Sequence, residues 1–368
     1  MKKIMILVNN DIWLYKLRKE IIKRLLEEGY EVYISVPNGE YVQTLVEWGC
    51  KFVETEVDRR GKNPLNDLSL FIHYIKILRK FKPDVILAYT IKPNLYGSLA
   101  GRILNIPYIN NITGLGSGFI KESLMKRTLT ILYKISLKNS YCVFFQNDSD
   151  RKLFESEKIV HDNNSELIPG SGVNLKEYKF KNFPEEGKIT FNFIGRIMKD
   201  KGIDEYLECA KQIKENYPNT QFNVLGFVEK TQFHYQEILN NYHDKGYINY
   251  LGFQTDVKPF IEDSHCLIQP SHGGEGISNV LLESGALGRV LIASNIPGCR
   301  ETIVYGENGY TFNAKDSGSL VEKIEMFINL PLDIKEKMGK NSRELIEREF
   351  NRDFVVSAYI NKISQLIN

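Results

Sequence analysis

The feature that most constrains the fold is an alternation of short apolar runs with amphipathic stretches. It begins with IMILV at residues 4–8 and a helical pattern near 13–28, then EVYISV at 31–36, YVQTLVEWG and KFVET. DVILAYT at 84–90 precedes a helix running through position 104, PYINNIT precedes one near 121–138, and YCVFFQN precedes another from about 149. Strands apolar at almost every position and separated by helices imply βαβ units, hence a parallel sheet covered on both faces.

The series then restarts. After LIPGSGVNLKEYKFKNFPEEGK, polar and rich in Gly, Pro and Lys, come ITFNFIG at 189–195, QFNVLGF, YINYLGF, HCLIQP and VLIAS, each separated by a helical segment or turn. A linker near 175–187 between two α/β series predicts two Rossmann-like domains, and 368 residues suit two cores better than one. A last helix near 352–367 carries the apolar stripe Phe354, Val355, Ala358, Tyr359, Ile363, Leu366 and Ile367. Periodicity leaves open whether it ends the second domain or packs on the first.

Composition bounds the classes of function. No run of eighteen apolar residues exists, and MKKIMILVNNDIW meets an acid too early for a signal peptide, so a cytoplasmic location is expected. Cys50, Cys142, Cys209, Cys266 and Cys299 form no CxxC pair and read as reduced core residues. Residues 1–170 hold 25 Lys and Arg against 19 Asp and Glu, and the remainder 23 against 27. A basic half suits nucleic acid, anionic lipid or a phosphorylated substrate, or is a plain surface bias. FIKESLMKRTLTILYKISLK sets Lys121, Lys126, Arg127, Lys134 and Lys138 among Phe119, Leu124, Leu129, Leu132 and Ile135, and can lie on an anionic membrane or pack on its own sheet.

The densest candidate site is SHGGEGISNVLLESGALG at 271–288. HCLIQP is a buried strand ending at Pro270, so His272 to Gly276 lie at a strand's C-terminal end, where open α/β sheets bind ligands. Gly273, Gly274 and Gly276 let backbone approach a ligand, and Ser278 or Asn279 can cap a helix whose N-terminus favours an anion. Glu275 in the loop and Glu283 in the helix can face one cavity at different heights. Paired carboxylates serve glycoside hydrolysis or simply grip vicinal hydroxyls; the plain alternative is one solvated loop residue and one surface helix residue.

FNFIGRIMKDKGIDEYL presents Arg196 and Lys201, each with a glycine beside it (Gly195, Gly202), at another strand end of the same domain, positioned to neutralise a diphosphate. VLGF and YLGFQTDV end two more strands in glycine and phenylalanine; Phe227 and Phe253 suit a nucleobase or are ordinary core turns. In the first domain, VNNDIWL at 8–14 and NNITGLGSGFIK at 110–121 follow strands. Neither matches GxGxxG, although the latter holds Gly114, Gly116 and Gly118, which weakens a dinucleotide-dehydrogenase reading. There is no GxxxxGK[ST] and no GxSxG. Asp148 and Asp150 in NDSD have DxD spacing but sit where a helix starts, so capping is the better reading and no metal site is assigned.

With these residues in hand, the chain resembles the family-four glycosyltransferases of the GT-B fold, whose mark is an E-x7-E motif. Glu275 and Glu283 match it, GRIMKDKG matches the family's Arg and Lys pair, and IASNIPGCRETI adds specificity. The resemblance covers essentially the whole chain. YTIKPNLYGSLAGRILNIPYINNITGLGSGF is similar to the bacterial surface-glycan branch, which includes N-acetylgalactosaminyltransferases and capsule or O-antigen enzymes acting on undecaprenyl-diphosphate sugars.

The resemblance implies an N-terminal acceptor domain at 1–174, a nucleotide-sugar domain at 188–350, a cleft between them, and residues 351–368 returning to the first domain. Arg196 and Lys201 would bind the donor diphosphate, Glu283 the ribose, and Glu275 with the Gly276–Ser278 backbone the donor sugar; Gly195, Phe253, Gly274 and Ile277 complete the donor side. It also implies retention by front-face attack, no metal and no cofactor beyond the nucleotide sugar, preferably a UDP-linked N-acetylated hexosamine. A polyprenyl-diphosphate-linked sugar would be the acceptor, with peripheral membrane contact and no nucleic acid. Many relatives have a Gly-rich first loop and a first-domain histidine where this chain has NNDIW and NITGLGS. Asn10, Asp11, Thr113 and Gly114 are therefore acceptor-side candidates by place, and Lys92 either faces the acceptor diphosphate or is a surface residue. A sugar-nucleotide 2-epimerase of similar architecture and a non-catalytic sugar-nucleotide or glycan-binding subunit are the alternative readings.

Overall fold

The computed structural model describes residues 1–58, 61, 63–116, 119, 124–185 and 187–367. The chain divides into two units, one of Met1–Ser171 with Asp353–Asn368, the other of Gly172–Arg352. Gly118 and Lys121, singled out above, lie outside the described residues.

In the first unit all described strands run parallel: β1 (Lys3–Leu7), β2 (Glu31–Val36), β3 (Lys51–Glu54), β4 (Val85–Tyr89), β5 (Tyr108–Ile112), β6 (Cys142–Phe145) and β7 (Ser165–Leu167), in the order β3-β2-β1-β4-β5-β6-β7. The helices between them are α1 (Asp11–Glu27), α2 (Val42–Glu47), α3 (Pro64–Phe81), α4 (Ser98–Ile103), α5 (Leu124–Leu137) and α6 (Asp148–Ser156). Side chains of β1 alternate between two cores. Ile4, Ile6 and Val8 join Leu14, Ile21 and Leu25 of α1, while Met5 and Leu7 join Leu70, Tyr74 and Leu78 of α3. A strand buried on both faces has no polar side to show, which is why the runs read as nearly unbroken apolar sequence. β7, three residues after a short turn, is too brief for a periodic signal.

The second unit has β8 (Ile189–Ile194), β9 (Thr220–Leu225), β10 (Asn249–Gly252), β11 (Cys266–Gln269), β12 (Val290–Ser294) and β13 (Gly309–Phe312), parallel in the order β10-β9-β8-β11-β12-β13. Its helices are α7 (Ile203–Asn216), α8 (Tyr235–Asp244), α9 (Lys258–Glu262), α10 (Asn279–Ala286), α11 (Ser317–Ile328) and α12 (Leu332–Glu349). β13 was hidden in NGYTFN, whose Asn-Gly reads as a turn. Its first residue must nonetheless be glycine, because a Cβ at Gly309 would strike the carbonyl of Leu291 on β12.

The final helix, α13 (Arg352–Ile367), answers the question its periodicity left open. Val355, Tyr359 and Ile363 are fully buried in the core that holds β1 and α1, and the Tyr359 hydroxyl accepts from Asn111 Nδ2 of β5 at 2.7 Å. The linker expectation needs correcting. The division falls at Ser171/Gly172, and the stretch 175–187 is built into the second unit. There, buried Arg289 donates to the carbonyls of Lys181 and Asn182 at 2.6 and 2.7 Å, and Leu175 and Tyr178 pack against a cluster holding Ile277 and Leu282. A polar, Pro-containing composition resembles a linker, but one buried guanidinium needing acceptors ties it down.

Candidate functional site

The second sheet reverses strand order between β8 and β11, so the loops leaving these two strands meet at a topological switch point, where α/β sheets bind ligands. β8 leads into Gly195 and Arg196, then a 3-10 turn at Lys199–Lys201 and α7. β11 leads into Pro270, Ser271 and the glycine-rich loop. The loops touch at Gly202: its φ is +76° and a Cβ there would collide with the Pro270 carbonyl. The backbone N–H of His272 donates to the Asp200 carbonyl at 3.0 Å.

These contacts bring the predicted residues together. Lys201 Nζ forms an ion pair with Glu275 Oε1, and the same oxygen accepts from the Ser271 hydroxyl at 2.9 Å. Ser271 in turn accepts from Gln269 Nε2 at 2.7 Å, so a chain of buried polar groups starts inside β11 and ends on Glu275. Burial pushes the Glu275 carboxyl upward. The Lys201 charge and hydrogen bond, the Ser271 hydrogen bond and the Arg196 charge together outweigh this and hold it below its ordinary value. Arg196 lies on the same edge, its guanidinium 3.5 Å from Glu229 Oε2. The site therefore pairs an ionised carboxylate with a cation and sets a second cation beside them.

Glu283 sits half-buried in α10. It neighbours Tyr178, whose hydroxyl is pushed well up by burial first and by the Glu283 charge next. Ser278 departs from expectation: it occupies the N-cap position, but its side chain makes no capping bond, and its backbone N–H donates to the Gly298 carbonyl at 2.8 Å. That amide is thus committed within the protein and not offered to a sugar. Gly298 has φ +86°, and a Cβ there would strike Glu275 and the Gly276 carbonyl, so IPGCRE acts as a backing strap for the loop. Ile277 packs its side chain into the core, which leaves only its backbone to the loop. Asn279 Oδ1, at the start of α10, is buried with no donor among the described residues.

Gly195, Gly226 and Gly252 end the three neighbouring strands β8, β9 and β10. The amide of Gly195 donates to the Leu225 carbonyl, that of Gly226 donates to Gly252, and a Cβ on Gly226 would strike Gly195. Beyond them Phe227 and Phe253 meet edge to face at 6.0 Å, with Phe253 62% exposed. Two large rings left in solvent at a sheet's ligand edge are an open stacking surface.

His272, which sequence alone places at the strand end with no role of its own, has a specific partner. Its Nε2 lies 3.0 Å from both oxygens of Glu205 on α7, a second tie between the two loops. The signal was present, since a histidine in a glycine-rich loop needs a partner, but the partner is 67 residues away.

In the first unit the acceptor-side candidates separate. Asn10 caps α1, accepting from the Trp13 amide at 3.3 Å, and buried Asp11 accepts from the Tyr41 amide at 2.8 Å. Lys92 is neither a bare cation nor a surface residue, since its Nζ is 2.7 Å from Asp67 and donates to the Gly61 carbonyl at 2.9 Å. These side chains hold local structure. Thr113 and Gly114 follow β5 at the ligand edge, with Gly114 at φ +107°. The structure marks two residues that spacing did not, Asn9 and Thr90, at the ends of the adjacent strands β1 and β4 where this sheet reverses its order. Among the described residues Asn9 Oδ1 and Thr90 Oγ1 are buried without partners, and Thr90 holds φ +66°, an uncommon conformation for a β-branched residue. At the candidate metal spacing, Asp148 pairs with Arg151 and Lys152, and Asn147 caps α6.

The family model described as Glycosyl transferases group 1 matches residues 175–345, and that described as Glycosyl transferase 4-like matches residues 3–147. The chain is 29% identical over 333 residues to the N,N'-diacetylbacillosaminyl-diphospho-undecaprenol alpha-1,3-N-acetylgalactosaminyltransferase of Campylobacter jejuni, covering 86% of each protein. It is 24% identical over 337 residues to the UDP-Gal:alpha-D-GlcNAc-diphosphoundecaprenol alpha-1,3-galactosyltransferase of Escherichia coli, covering 82% of this chain and 83% of that one. Among solved structures, Anabaena HepE in complex with UDP and glucose superposes with a TM-score of 0.81 at 16% identity, covering 99% of this chain and 100% of that one. Sucrose-phosphate synthase from Thermosynechococcus elongatus gives 0.82 at 17%, covering 100% and 99%. At these identities the two structures speak for the fold.

Proposed function

Because the chain belongs to the group 1 glycosyltransferases, its first unit matched by the 4-like model, we propose that it moves a sugar from a nucleotide diphosphate to an undecaprenyl-diphosphate-linked saccharide, with retention of configuration, in surface-glycan assembly. The observation that carries the reading is the ion pair of Lys201 with Glu275 at the β8/β11 switch point, with Arg196 beside it. The lipid-linked acceptor rests on the two relatives named for such substrates, and a UDP-linked N-acetylated hexosamine is the preferred donor.

The residues divide the work as follows. Arg196 and Lys201 face the diphosphate and stabilise the charge that grows on it as the bond from the anomeric carbon to the phosphate oxygen breaks. The acceptor hydroxyl attacks from the same face, and its proton passes to the departing phosphate oxygen, so the scheme needs neither a protein base nor a metal. Glu275, ionised and held by Lys201 and Ser271, accepts hydroxyls of the donor sugar; Glu283 accepts those of the ribose. Phe253 and Phe227 stack on the base. Acceptor recognition belongs to the first unit, at the inner face of the cell membrane. Among the described residues no helix is long and apolar enough to cross a membrane.

The test is nucleotide release from a panel of UDP- and GDP-sugars in EDTA, with and without a polyprenyl-diphosphate sugar. Acceptor-dependent release from one donor, lost in Glu275→Ala, is the expected result. Turnover that ignores the acceptor would favour an epimerase or hydrolase, and no turnover a binding subunit.

A further inference from the structure

We propose that Glu229, which the transfer scheme leaves without a role, shares Arg196 with the diphosphate and promotes departure of the nucleoside diphosphate once the sugar has left it. Arg196 and Lys201, the two cations assigned to the diphosphate, each stand beside a carboxylate. Lys201 is paired with Glu275, which also has the donor sugar to hold. Glu229 comes from the loop leaving β9, and backbone bonds fix it in place. Ile197 and Val228 form a parallel bridge that prolongs the pairing of β8 with β9. The Ile197 amide donates to the Phe227 carbonyl at 2.9 Å, and the Glu229 amide donates to the Ile197 carbonyl at 3.0 Å. The Lys199 amide donates to Gln232 Oε1 at 2.8 Å and ties the end of the loop to the same segment. With its side chain only 13% exposed, Glu229 cannot carry its charge out into solvent when an anion arrives.

The contact with Arg196 suits repulsion better than orientation. A carboxylate that aims a guanidinium holds it by two short parallel bonds of about 2.7–2.9 Å. Glu229 meets Arg196 through Oε2 at 3.5 Å, the outer limit of a hydrogen bond, and the arginine side chain stays 34% exposed. The charge still acts at that range, because Coulomb energy falls only with the reciprocal of distance. It acts unequally on substrate and product. In the donor each phosphate carries one negative charge. When the bond from the anomeric carbon breaks, its electron pair stays on the phosphate oxygen, and the proton taken from the acceptor hydroxyl is then lost to water, since the second pKa of a terminal phosphate is about 6. The product therefore carries close to one negative charge more than the donor, and Glu229 repels it more strongly. The inference rests on the donor reading of this site and adds the residue that favours release, a step that sets turnover in many enzymes.

The experiment is titration calorimetry of the full chain in EDTA with UDP, and with GDP if UDP does not bind. Glu229→Gln, which keeps the shape and removes the charge, should tighten the nucleotide about tenfold. UDP-N-acetylglucosamine, whose diphosphate is still esterified, should gain only about threefold. In the nucleotide-release assay the variant's kcat should fall and inhibition by added nucleotide should deepen. A gain of affinity cannot come from a damaged fold, and should Glu229→Gln fail to fold, Glu229→Ala gives the same reading. Unchanged or weakened UDP binding overturns the proposal, because a residue that only orients Arg196 or braces the loop would give that result. So does equal tightening of UDP and UDP-N-acetylglucosamine. If the wild type binds neither UDP nor GDP, the donor reading fails and the inference with it. If it binds one of them and the variant does not respond, the inference fails and the donor reading stands.

Discussion

His272 and Glu205 lock the two loops of the candidate site together, the imidazole Nε2 lying 3.0 Å from each carboxylate oxygen with both side chains nearly buried. Neither residue is placed against the reacting atoms, so the pair positions Glu275 and Lys201. Glu205 is held below its ordinary value: burial pushes it up, and the His272 hydrogen bond, a backbone hydrogen bond and the charges of His272 and Lys199 together outweigh burial. Replacing His272 with Ala strands a buried carboxylate, a loss of about 1.5–3 kcal/mol. Donor KM should rise roughly tenfold or more by that energy, while acceptor KM is unchanged and His272→Gln recovers part of the loss. Equal changes in both KM values would reduce the pair to general scaffolding.

Lys201→Ala removes the cation from a largely buried carboxylate. Turnover should fall by about 10²–10³, the range for losing one preorganised charge-stabilising group. Stability should fall by up to about 3 kcal/mol. The pH dependence follows from the depressed carboxyl of Glu275. Its contribution to stability is complete above the ordinary value of 4.5 and is lost as pH drops through the lower folded value. Denaturant midpoints of wild type and variant should therefore converge on acidification below that point, and parallel curves would contradict the coupling.

His265 supplies a second, separable pH effect. Buried behind β11, it accepts the Thr190 amide through Nδ1 at 3.1 Å, and burial, aided by the Arg289 charge, lowers its pKa to about 4. The unfolded imidazole binds its proton near 6.5, so the unfolded state holds more protons between those values and stability falls as pH drops from 6.5 to about 4. The loss approaches about 3 kcal/mol. Thermal melts of wild type and His265→Gln across that window should show the variant's slope flattened.

Asn9 and Thr90 carry the acceptor prediction. A buried polar atom without a partner costs free energy unless a ligand satisfies it, and these two lie at adjoining strand ends on the ligand edge. Thr90→Val and Asn9→Ala should leave stability unchanged or raised. Each should weaken the acceptor by roughly fivefold to a hundredfold, the equivalent of one hydrogen bond to a polar group. Saturation curves in the acceptor at fixed donor would decide, and a rise in donor KM alone would reject the assignment.

Much of this was legible in the linear chain because the signals are local. Apolar runs such as IMILV and VLIAS must be buried on both faces. A glycine-rich turn after such a run must stand at a sheet edge, and Glu275, Glu283, Arg196 and Lys201 share one edge because their strands are parallel. The linker was misread because Lys181 and Asn182 look solvated until Arg289, more than a hundred residues on, claims their carbonyls. Asp11 and Lys92 looked available because nothing in the sequence shows that the Tyr41 amide and Asp67 already hold them.

The sequence by itself determined the parallel α/β character, the glycine-lined edge and the residue types offered to a ligand, since these follow from periodicity and backbone sterics within a few residues. Tertiary structure alone decided that Lys201 reaches Glu275 while His272 reaches Glu205, and that Asn9 and Thr90 are left unsatisfied among the described residues. Hydrogen bonds and ion pairs act over a few ångströms in space, and separation along the chain does not say which groups will come that close.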